Sequence, residues 1–255
     1  MKKFKRIYLE ITNACNLNCP FCRNDKGQSF MSLKDIEEYL LQIKDVSDYL
    51  YLHVLGEPLL HQDFEKILNL LDKYEFKLQL VTNGVLLKNY PHLLKHQCLR
   101  KIAISLHSLN NLEKPDGYFE TIRNLINENK KTIIELRFYG ASDDELSTFK
   151  DSLPQNDFLY VTEDNFFKWP SIEDEYINDR GFCHGGKDML AVLVNGDVTL
   201  CCLEPKGHNK IGNLKETKLK DILNNPKYLA YLNNLDKHIL INELCQKCTY
   251  RLRFK

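Results

Sequence analysis

The sequence lacks a net charge, a long apolar run and any low-complexity tract. Its 35 basic residues are balanced by 35 acidic residues, so the overall charge does not favour nucleic acid or a membrane surface as the main partner. No apolar stretch is long enough to cross a bilayer, and too few apolar residues follow the basic start for a signal peptide. We therefore expect a cytoplasmic globular protein that acts without nucleic acid or a membrane.

Cysteine, in contrast, is plentiful, with nine residues in the chain. Thiols of cytosolic proteins stay reduced, so this number indicates metal ligation or catalysis rather than disulfides. Cys98 stands alone and is predicted to be a buried small apolar residue. The others form a front group, Cys15, Cys19 and Cys22, and a rear group, Cys183, Cys201, Cys202, Cys245 and Cys248. Two metal sites are the simplest interpretation.

Short β-rich runs alternate with helical patterns up to about residue 162. Ser32 begins one helical pattern, in which apolar residues recur at helical spacing as far as Val46. The predicted strands are 5–11, 49–55, 77–82, 100–106, 132–139 and 158–162. Strands that alternate with helices predict parallel βα units. The expected fold is therefore α/β, a partial (βα)6 TIM-like barrel.

The alternation stops after residue 164. Trp169 lies in an acidic, Pro-containing segment that is typical of a linker or of a loop over the barrel mouth. Residues 189–201 contain two apolar runs joined by Asn195-Gly196. Because this dipeptide readily takes the positive backbone angles of a tight turn, these runs predict a β-hairpin.

The front cysteines follow the first predicted strand directly. Parallel βα folds build their active sites on the loops at the carboxyl ends of the strands. Three thiolates can bind three irons of a 4Fe-4S cluster and leave the fourth iron open to a ligand. The alternative is a zinc site completed by a fourth ligand such as His53.

The spacing Cys15-x3-Cys19-x2-Cys22, with Phe21 before the last cysteine, resembles the signature of the radical S-adenosylmethionine (radical SAM) family. The resemblance implies that SAM binds the open iron. An electron from a reductant such as flavodoxin or ferredoxin then cleaves SAM, and the 5'-deoxyadenosyl radical abstracts hydrogen from a substrate. In this family a Gly-Gly-Glu-Pro motif, here Leu55-Gly-Glu-Pro, binds the SAM amino group. The SAM-binding residues implied are Phe21, Gly56, Glu57, Pro58, Asn83, Ser105 and Arg137.

The rear cysteines resemble a truncated SPASM domain, called a twitch domain, which holds an auxiliary 4Fe-4S cluster. The implied ligands are Cys183, Cys201, Cys245 and Cys248. Cys202 is expected to point to the opposite side of the strand from Cys201. Residues 1–164 would then form the barrel, and residues 165–255 the linker and the small hairpin and helix domain. A structural zinc site is the alternative.

Several polar residues are candidates for substrate contact. His53 and His107 end predicted strands and, with Glu135, are the candidate catalytic residues. Buried carboxylates need partners, which a polar ligand can supply. Further candidates facing the barrel or its mouth are Glu10, Tyr139, Asn165, Trp169 and His184.

The whole chain is similar to short radical SAM enzymes with a twitch domain, which include a queuine lyase of queuosine salvage and an aminocyclitol dehydrogenase. This resemblance implies a small-molecule substrate. The specific expectation is a lyase that releases preQ1 from queuine. The alternatives are an alcohol dehydrogenase of an aminocyclitol, a peptide-modifying SPASM enzyme and, outside catalysis, a zinc-stabilised binding module.

Overall fold

The structure is a computed structural model that describes residues 4–22, 27–140, 143–166 and 168–254. Six parallel strands lie side by side in chain order along one sheet. They are β1 Arg6–Leu9, β2 Tyr49–Tyr51, β3 Lys77–Thr82, β4 Leu99–Ser105, β5 Ile133–Arg137 and β6 Leu159–Thr162. This arrangement confirms the predicted partial barrel.

Amphipathic helices cover the outer face of these strands. They are α1 Leu33–Lys44, α2 Phe64–Lys73, α3 Tyr118–Glu128 and α4 Asp144–Asp151. The predicted start of α1 is confirmed, because the Ser32 side chain accepts a hydrogen bond from the Asp35 N–H. Ile36, Leu40 and Ile43 lie on the buried face of this helix. No helix in the described part of the chain is long and apolar enough to cross a membrane.

Side-chain alternation along β1 separates the two faces of the sheet. Ile7 and Leu9 are buried in the main hydrophobic core beneath the helices. Arg6 and Tyr8 point to the other face, and both line a cavity there. Because neighbours along a strand point to opposite faces, β1 presents apolar side chains to the helices and Arg6 and Tyr8 to the inside of the barrel.

The rear segment extends the same sheet. Strand β7, Met189–Val192, pairs in parallel with β1, and β8, Asp197–Thr199, returns antiparallel to it. Gly196 has a positive φ of 90° at the turn, so the predicted hairpin is confirmed. The remaining elements are β9 Lys210–Asn213, α5 Leu219–Ile222, α6 Pro226–Asp236 and α7 Glu243–Lys247. The sheet contains strands from both sides of residue 164, where we expected a domain boundary. That boundary stays a prediction.

Candidate active site

The front cysteines lie on the loop that leaves β1 at its carboxyl end. Cys19 is buried, whereas Cys15 and Cys22 are half-buried. The backbone N–H of Leu17 points at Cys15 Sγ, 3.4 Å away. The N–H of Cys22 donates to the carbonyl of Cys19 at 3.0 Å. The loop therefore folds on itself, and an N–H directed at sulfur is a contact that tunes iron-sulfur clusters.

The turn after β2 packs directly against this loop. The N–H of Glu57 donates to the carbonyl of Ala14 at 2.8 Å. Gly56 has a φ of +75°, and a Cβ there would lie 2.4 Å from the Thr12 carbonyl oxygen, so the turn requires glycine. The buried carboxylate of Glu57 accepts the Asn83 N–H at 2.8 Å, and burial raises its pKa to about 7. The ends of β1, β2 and β3 are thus held together.

The remaining predicted SAM-binding residues lie around the same edge of the sheet. The Asn83 side chain donates to the Asn16 side chain at 2.8 Å. Ser105 ends β4 and is paired in register with Arg137 at the end of β5. Arg137 forms an ion pair with Glu135 at 2.7 Å. The sequence therefore placed these residues at one edge, and their contacts with SAM stay predictions.

A cavity of about 350 Å³ lies between the barrel interior and the rear cysteines. The barrel contributes Arg6, Tyr8, Tyr51, His53 and Arg137 to its wall. The segment after β6 contributes Asp164, Asn165, Trp169 and Pro170. The rear cysteines Cys183, Cys201, Cys202, Cys245 and Cys248 line the other side. One space therefore connects the inner face of the barrel with the rear thiols.

The hairpin brings Cys201 back beside the segment that carries Cys183. The N–H of Gly186 donates to the Leu200 carbonyl at 2.6 Å, and a Cβ on Gly185 would lie 3.3 Å from Cys201 Cβ. The N–H of Gly185 points at Cys183 Sγ, 3.3 Å away. This close approach of backbone to thiols again resembles the surroundings of an iron-sulfur cluster.

Cys201 and Cys202 lie beyond the end of β8. Strand β8 ends at Thr199, and both cysteines lie in the turn that follows. Both line the cavity. Strand alternation does not extend into a turn, so the expectation that the two thiols point to opposite sides stays a prediction. The interpretation of Cys202 as a neighbour rather than a ligand stays a prediction.

The positions of the thiols bear on the choice between a cluster and a single zinc ion. Among the described residues, neither cysteine group brings three sulfurs within 4.8 Å of one another. A tetrahedral zinc ion would hold its thiolates about 3.8 Å apart, because Zn–S bonds are about 2.3 Å long. In a cubic cluster each cysteine binds a different iron, so the sulfurs do not have to approach one another so closely.

Comparison with known proteins decides the family. Residues 9–147, more than half of the chain, match the model of the radical SAM superfamily. The chain belongs to the radical SAM superfamily. Residues 183–249 match the SPASM iron-sulfur cluster-binding domain. The cofactors of this radical SAM enzyme are therefore SAM and 4Fe-4S clusters, as the cysteine patterns and their resemblance to this family implied.

Curated relatives of this radical SAM enzyme include enzymes named GTP 3',8-cyclase. One from Peptoclostridium acidaminophilum is 26% identical over 99% of this chain and 78% of its own length. Another, from Aquifex aeolicus, is 34% identical over 43% of this chain and 37% of its own length. The second match therefore spans well under half of that relative.

Solved structures show the same fold. BtrN in complex with AdoMet and 2-DOIA has a TM-score of 0.63 and 18% identity, over 98% of this chain and 94% of BtrN. Streptococcus suis SuiB bound to the precursor peptide SuiA has a TM-score of 0.66 and 16% identity, over 99% of this chain and 73% of SuiB. At this identity the likeness establishes the fold alone.

Glu135 lies in a network of charged and polar partners inside the barrel. Its carboxylate pairs with Arg137 at 2.7 Å and Lys101 at 3.0 Å, and accepts from the Thr162 hydroxyl at 3.0 Å. Burial alone would raise its pKa, but these cations hold the pKa below its usual value. Glu135 is therefore ionised and orients Arg137. Its predicted catalytic role stays a prediction.

His107 packs among rings beside the front loop. It stacks on Tyr139 with ring centroids 5.0 Å apart and contacts Phe21 at 5.2 Å. Burial lowers its pKa to about 4, so the imidazole is neutral near pH 7. Among the described residues that line the cavity, His53 is present and His107 is not. His184 also lies outside that wall and pairs with Asp188 at 2.6 Å.

Arg251 is a buried cation that the sequence analysis missed. Its side chain donates to the backbone carbonyls of Cys245, Arg180 and Asn178 at 2.9 to 3.1 Å, and the residue is 4% exposed. No carboxylate in the described ranges forms an ion pair with it. A buried charge requires compensation, and four thiolates around a cluster would supply it. In the sequence, its position three residues after Cys248 was the one sign that it lies near the rear cysteines.

Proposed function

We propose that this enzyme abstracts a hydrogen atom from a small molecule bound in the cavity between the inner face of its barrel and its rear cysteines. SAM and the front cluster supply the 5'-deoxyadenosyl radical. The observation that carries the proposal is the single cavity that reaches from the inner barrel face to the rear thiols. The enzyme would act in the cytoplasm and receive electrons from flavodoxin or ferredoxin. Cys15, Cys19 and Cys22 would hold the front cluster.

The specific substrate that we propose is queuine, from which a lyase would release preQ1. The relatives named GTP 3',8-cyclase act, by that name, on a guanine nucleotide, and queuine contains a guanine-like ring. The cavity offers aromatic walls for such a ring, because Tyr8 and Tyr51 lie in its barrel side. Planar ligands pack well against aromatic side chains.

The test is anaerobic incubation of the reconstituted enzyme with SAM, a reductant and queuine, followed by mass spectrometry. The proposal predicts preQ1 and 5'-deoxyadenosine that both increase with time. The matched control is the variant in which Cys15, Cys19 and Cys22 are replaced by Ala, which should form neither product. Abundant 5'-deoxyadenosine without preQ1 would exclude queuine as the substrate.

A second candidate is a dehydrogenase that oxidises an alcohol of a cyclitol. The observation that favours it is the position of the rear cysteines in the wall of the same cavity. A cluster held by these cysteines could accept the second electron of a two-electron oxidation. A ketone product from an aminocyclitol would support this candidate, and preQ1 from queuine would support the lyase.

A further inference from the structure

Three metal-binding side chains meet on the helix-covered side of the barrel. Asp72 lies in the last turn of α2, and Cys98 immediately precedes β4. One ligand atom from each of Asp72, His96 and Cys98 lies within 4.8 Å of the other two. Carboxylate, imidazole and thiolate are the three kinds of side chain that bind zinc in proteins. None of these residues lines the cavity described above, so the group is separate from the proposed substrate site.

The carboxylate of Asp72 is held in place by the backbone. Its Oδ1 accepts the N–H of Cys98 at 2.6 Å, which ties the end of α2 to the start of β4. Its Oδ2 lies 2.7 Å from His96 Nδ1. The His96 side chain is only 12% exposed, so little water reaches this pair. Asp72 and Cys98 are thus oriented by a contact that does not depend on a metal.

His96 lies between two carboxylates. Its Nε2 is 3.3 Å from Glu65 Oε2, and Glu65 lies two turns before Asp72 on the same face of α2. A neutral imidazole has a single N–H, so it can donate to only one of the two carboxylates. The other nitrogen and its facing oxygen require a second ring proton or a metal cation. Zinc-bound histidines usually donate their other N–H to a carboxylate, and Glu65 occupies that position relative to His96.

Cys98 supplies the sulfur of the group. Its predicted burial is confirmed, because the residue is 3% exposed, and burial raises the pKa of its thiol. Without a metal the thiol therefore keeps its proton, and Sγ lies 3.8 Å from the Leu68 carbonyl to which it donates. Zinc deprotonates a thiol that coordinates it, and the proton passes to solvent. The buried thiolate thus forms together with the cation that neutralises it.

We propose that Asp72, His96 and Cys98 bind one zinc ion. Glu65 holds the His96 ring by accepting its Nε2–H, and water is the fourth ligand of the tetrahedron. The ion would link the last turn of α2 to the residues before β4. This position is at the amino end of β4, whereas the front cysteines lie at the carboxyl edge of the sheet, so the ion serves stability rather than the reaction. The proposal does not depend on the identity of the substrate.

The test is metal analysis of enzyme that carries its iron-sulfur clusters, after incubation with zinc and anaerobic gel filtration. About one zinc ion per chain should remain in addition to about eight irons. X-ray absorption at the zinc edge should show one sulfur at about 2.3 Å and nitrogen or oxygen ligands at about 2.0–2.2 Å. Zinc that had displaced iron from the front or rear cysteines would instead show three or four sulfurs.

Variants of the ligands should weaken zinc binding in a graded way. Glu65→Gln should lose about ten- to hundredfold in affinity, the range for a carboxylate behind a zinc-bound histidine, and Cys98→Ala and His96→Gln should lose more than about hundredfold, because each removes a ligand. His92→Gln, which removes an exposed histidine of the same segment, is the matched control and should bind zinc as the wild type does. All four variants should still form 5'-deoxyadenosine from SAM.

Three results would overturn the proposal. The first is wild-type enzyme with its full iron content that retains no zinc, which would leave these side chains as a hydrogen-bonded cluster. The second is zinc with three or four sulfur ligands. The third is equal zinc affinity in wild type, Cys98→Ala and His96→Gln. If Cys98→Ala does not fold, Cys98→Ser keeps the shape of the side chain and should also lose zinc, and the X-ray absorption result on the wild type needs no variant.

Discussion

The carboxylate of Glu10 accepts a hydrogen bond from the backbone N–H of Val194 at 3.0 Å. Its other oxygen accepts the N–H of Leu55 at 2.9 Å. Glu10 is buried, and burial raises its pKa to about 7 despite these two donors. One side chain thus joins β1, the turn at Gly56 and the hairpin that leads to Cys201. Glu10, a candidate for substrate contact, thus connects the two halves of the site, and its contact with substrate stays a prediction.

Replacement of Glu10 by Gln should destabilise this connection. An amide has one acceptor oxygen, so the N–H of either Leu55 or Val194 would lose its partner. A buried donor without a partner costs about 1–3 kcal/mol, and urea denaturation should show a fall of this size in the free energy of unfolding. The exposed substitution Glu38→Gln is the control. An unchanged unfolding free energy for Glu10→Gln would show that these hydrogen bonds do not stabilise the fold.

Arg251 should set the reduction potential of the rear cluster. Loss of this buried positive charge makes addition of an electron less favourable. If the separation is taken as about 8 Å, one charge contributes about 2 kcal/mol at an effective dielectric constant of about 20, so Arg251→Gln should lower the midpoint potential by roughly 50–100 mV. A redox titration followed by electron paramagnetic resonance measures the shift. Arg253→Gln, which removes an exposed guanidinium paired with Asp164, should shift it less. Equal potentials for wild type and Arg251→Gln would contradict this role.

The rear ligand set can be tested by iron content. Wild-type enzyme should contain about eight irons, the sum of two 4Fe-4S clusters. Joint replacement of Cys245 and Cys248 by Ala should remove about four of them, because half of the rear ligands are lost. Cys202→Ala is the matched control and should retain all of them. If Cys202→Ala also loses about four irons, the proposed ligand set is wrong.

The lowered pKa of His107 predicts a specific dependence of folding stability on pH. Burial lowers its folded-state pKa to about 4, below the ordinary value of 6.5. Between these two values the unfolded chain binds a proton that the folded chain does not, so stability is lost as the pH falls below about 6.5. From pH 7.5 to 5.5 this loss is about 1 kcal/mol. Urea denaturation at both pH values should show a smaller loss for His107→Phe. Identical losses would show that His107 titrates normally.

The barrel could be predicted from the sequence because its two faces differ in local pattern. Ile7 and Leu9 alternate with Arg6 and Tyr8 along β1, and this period of two reports an apolar face toward the helices and a polar face inside. The same alternation marks Arg6 and Tyr8 as inward-facing. The front cysteines directly follow the first predicted strand, and this position correctly predicted that they lie at the carboxyl edge of the sheet.

Contacts between distant segments could not be predicted in this way. The pairing of β7 with β1 joins residues about 180 positions apart, and no local pattern specifies that neighbour. The hydrogen bond from Val194 to Glu10 depends on this pairing. Arg251 likewise acquires its role only when the segments that carry Asn178 and Cys245 meet. Burial without a counter-charge is a property of the folded chain.

The most direct test of the radical SAM assignment is the cleavage of SAM itself. Enzyme reconstituted anaerobically with iron and sulfide, and then reduced with dithionite, is incubated with SAM and analysed by chromatography. We expect 5'-deoxyadenosine from the wild type and none when Cys15, Cys19 and Cys22 are all Ala. Wild-type enzyme with its full iron content that leaves SAM intact would contradict the account.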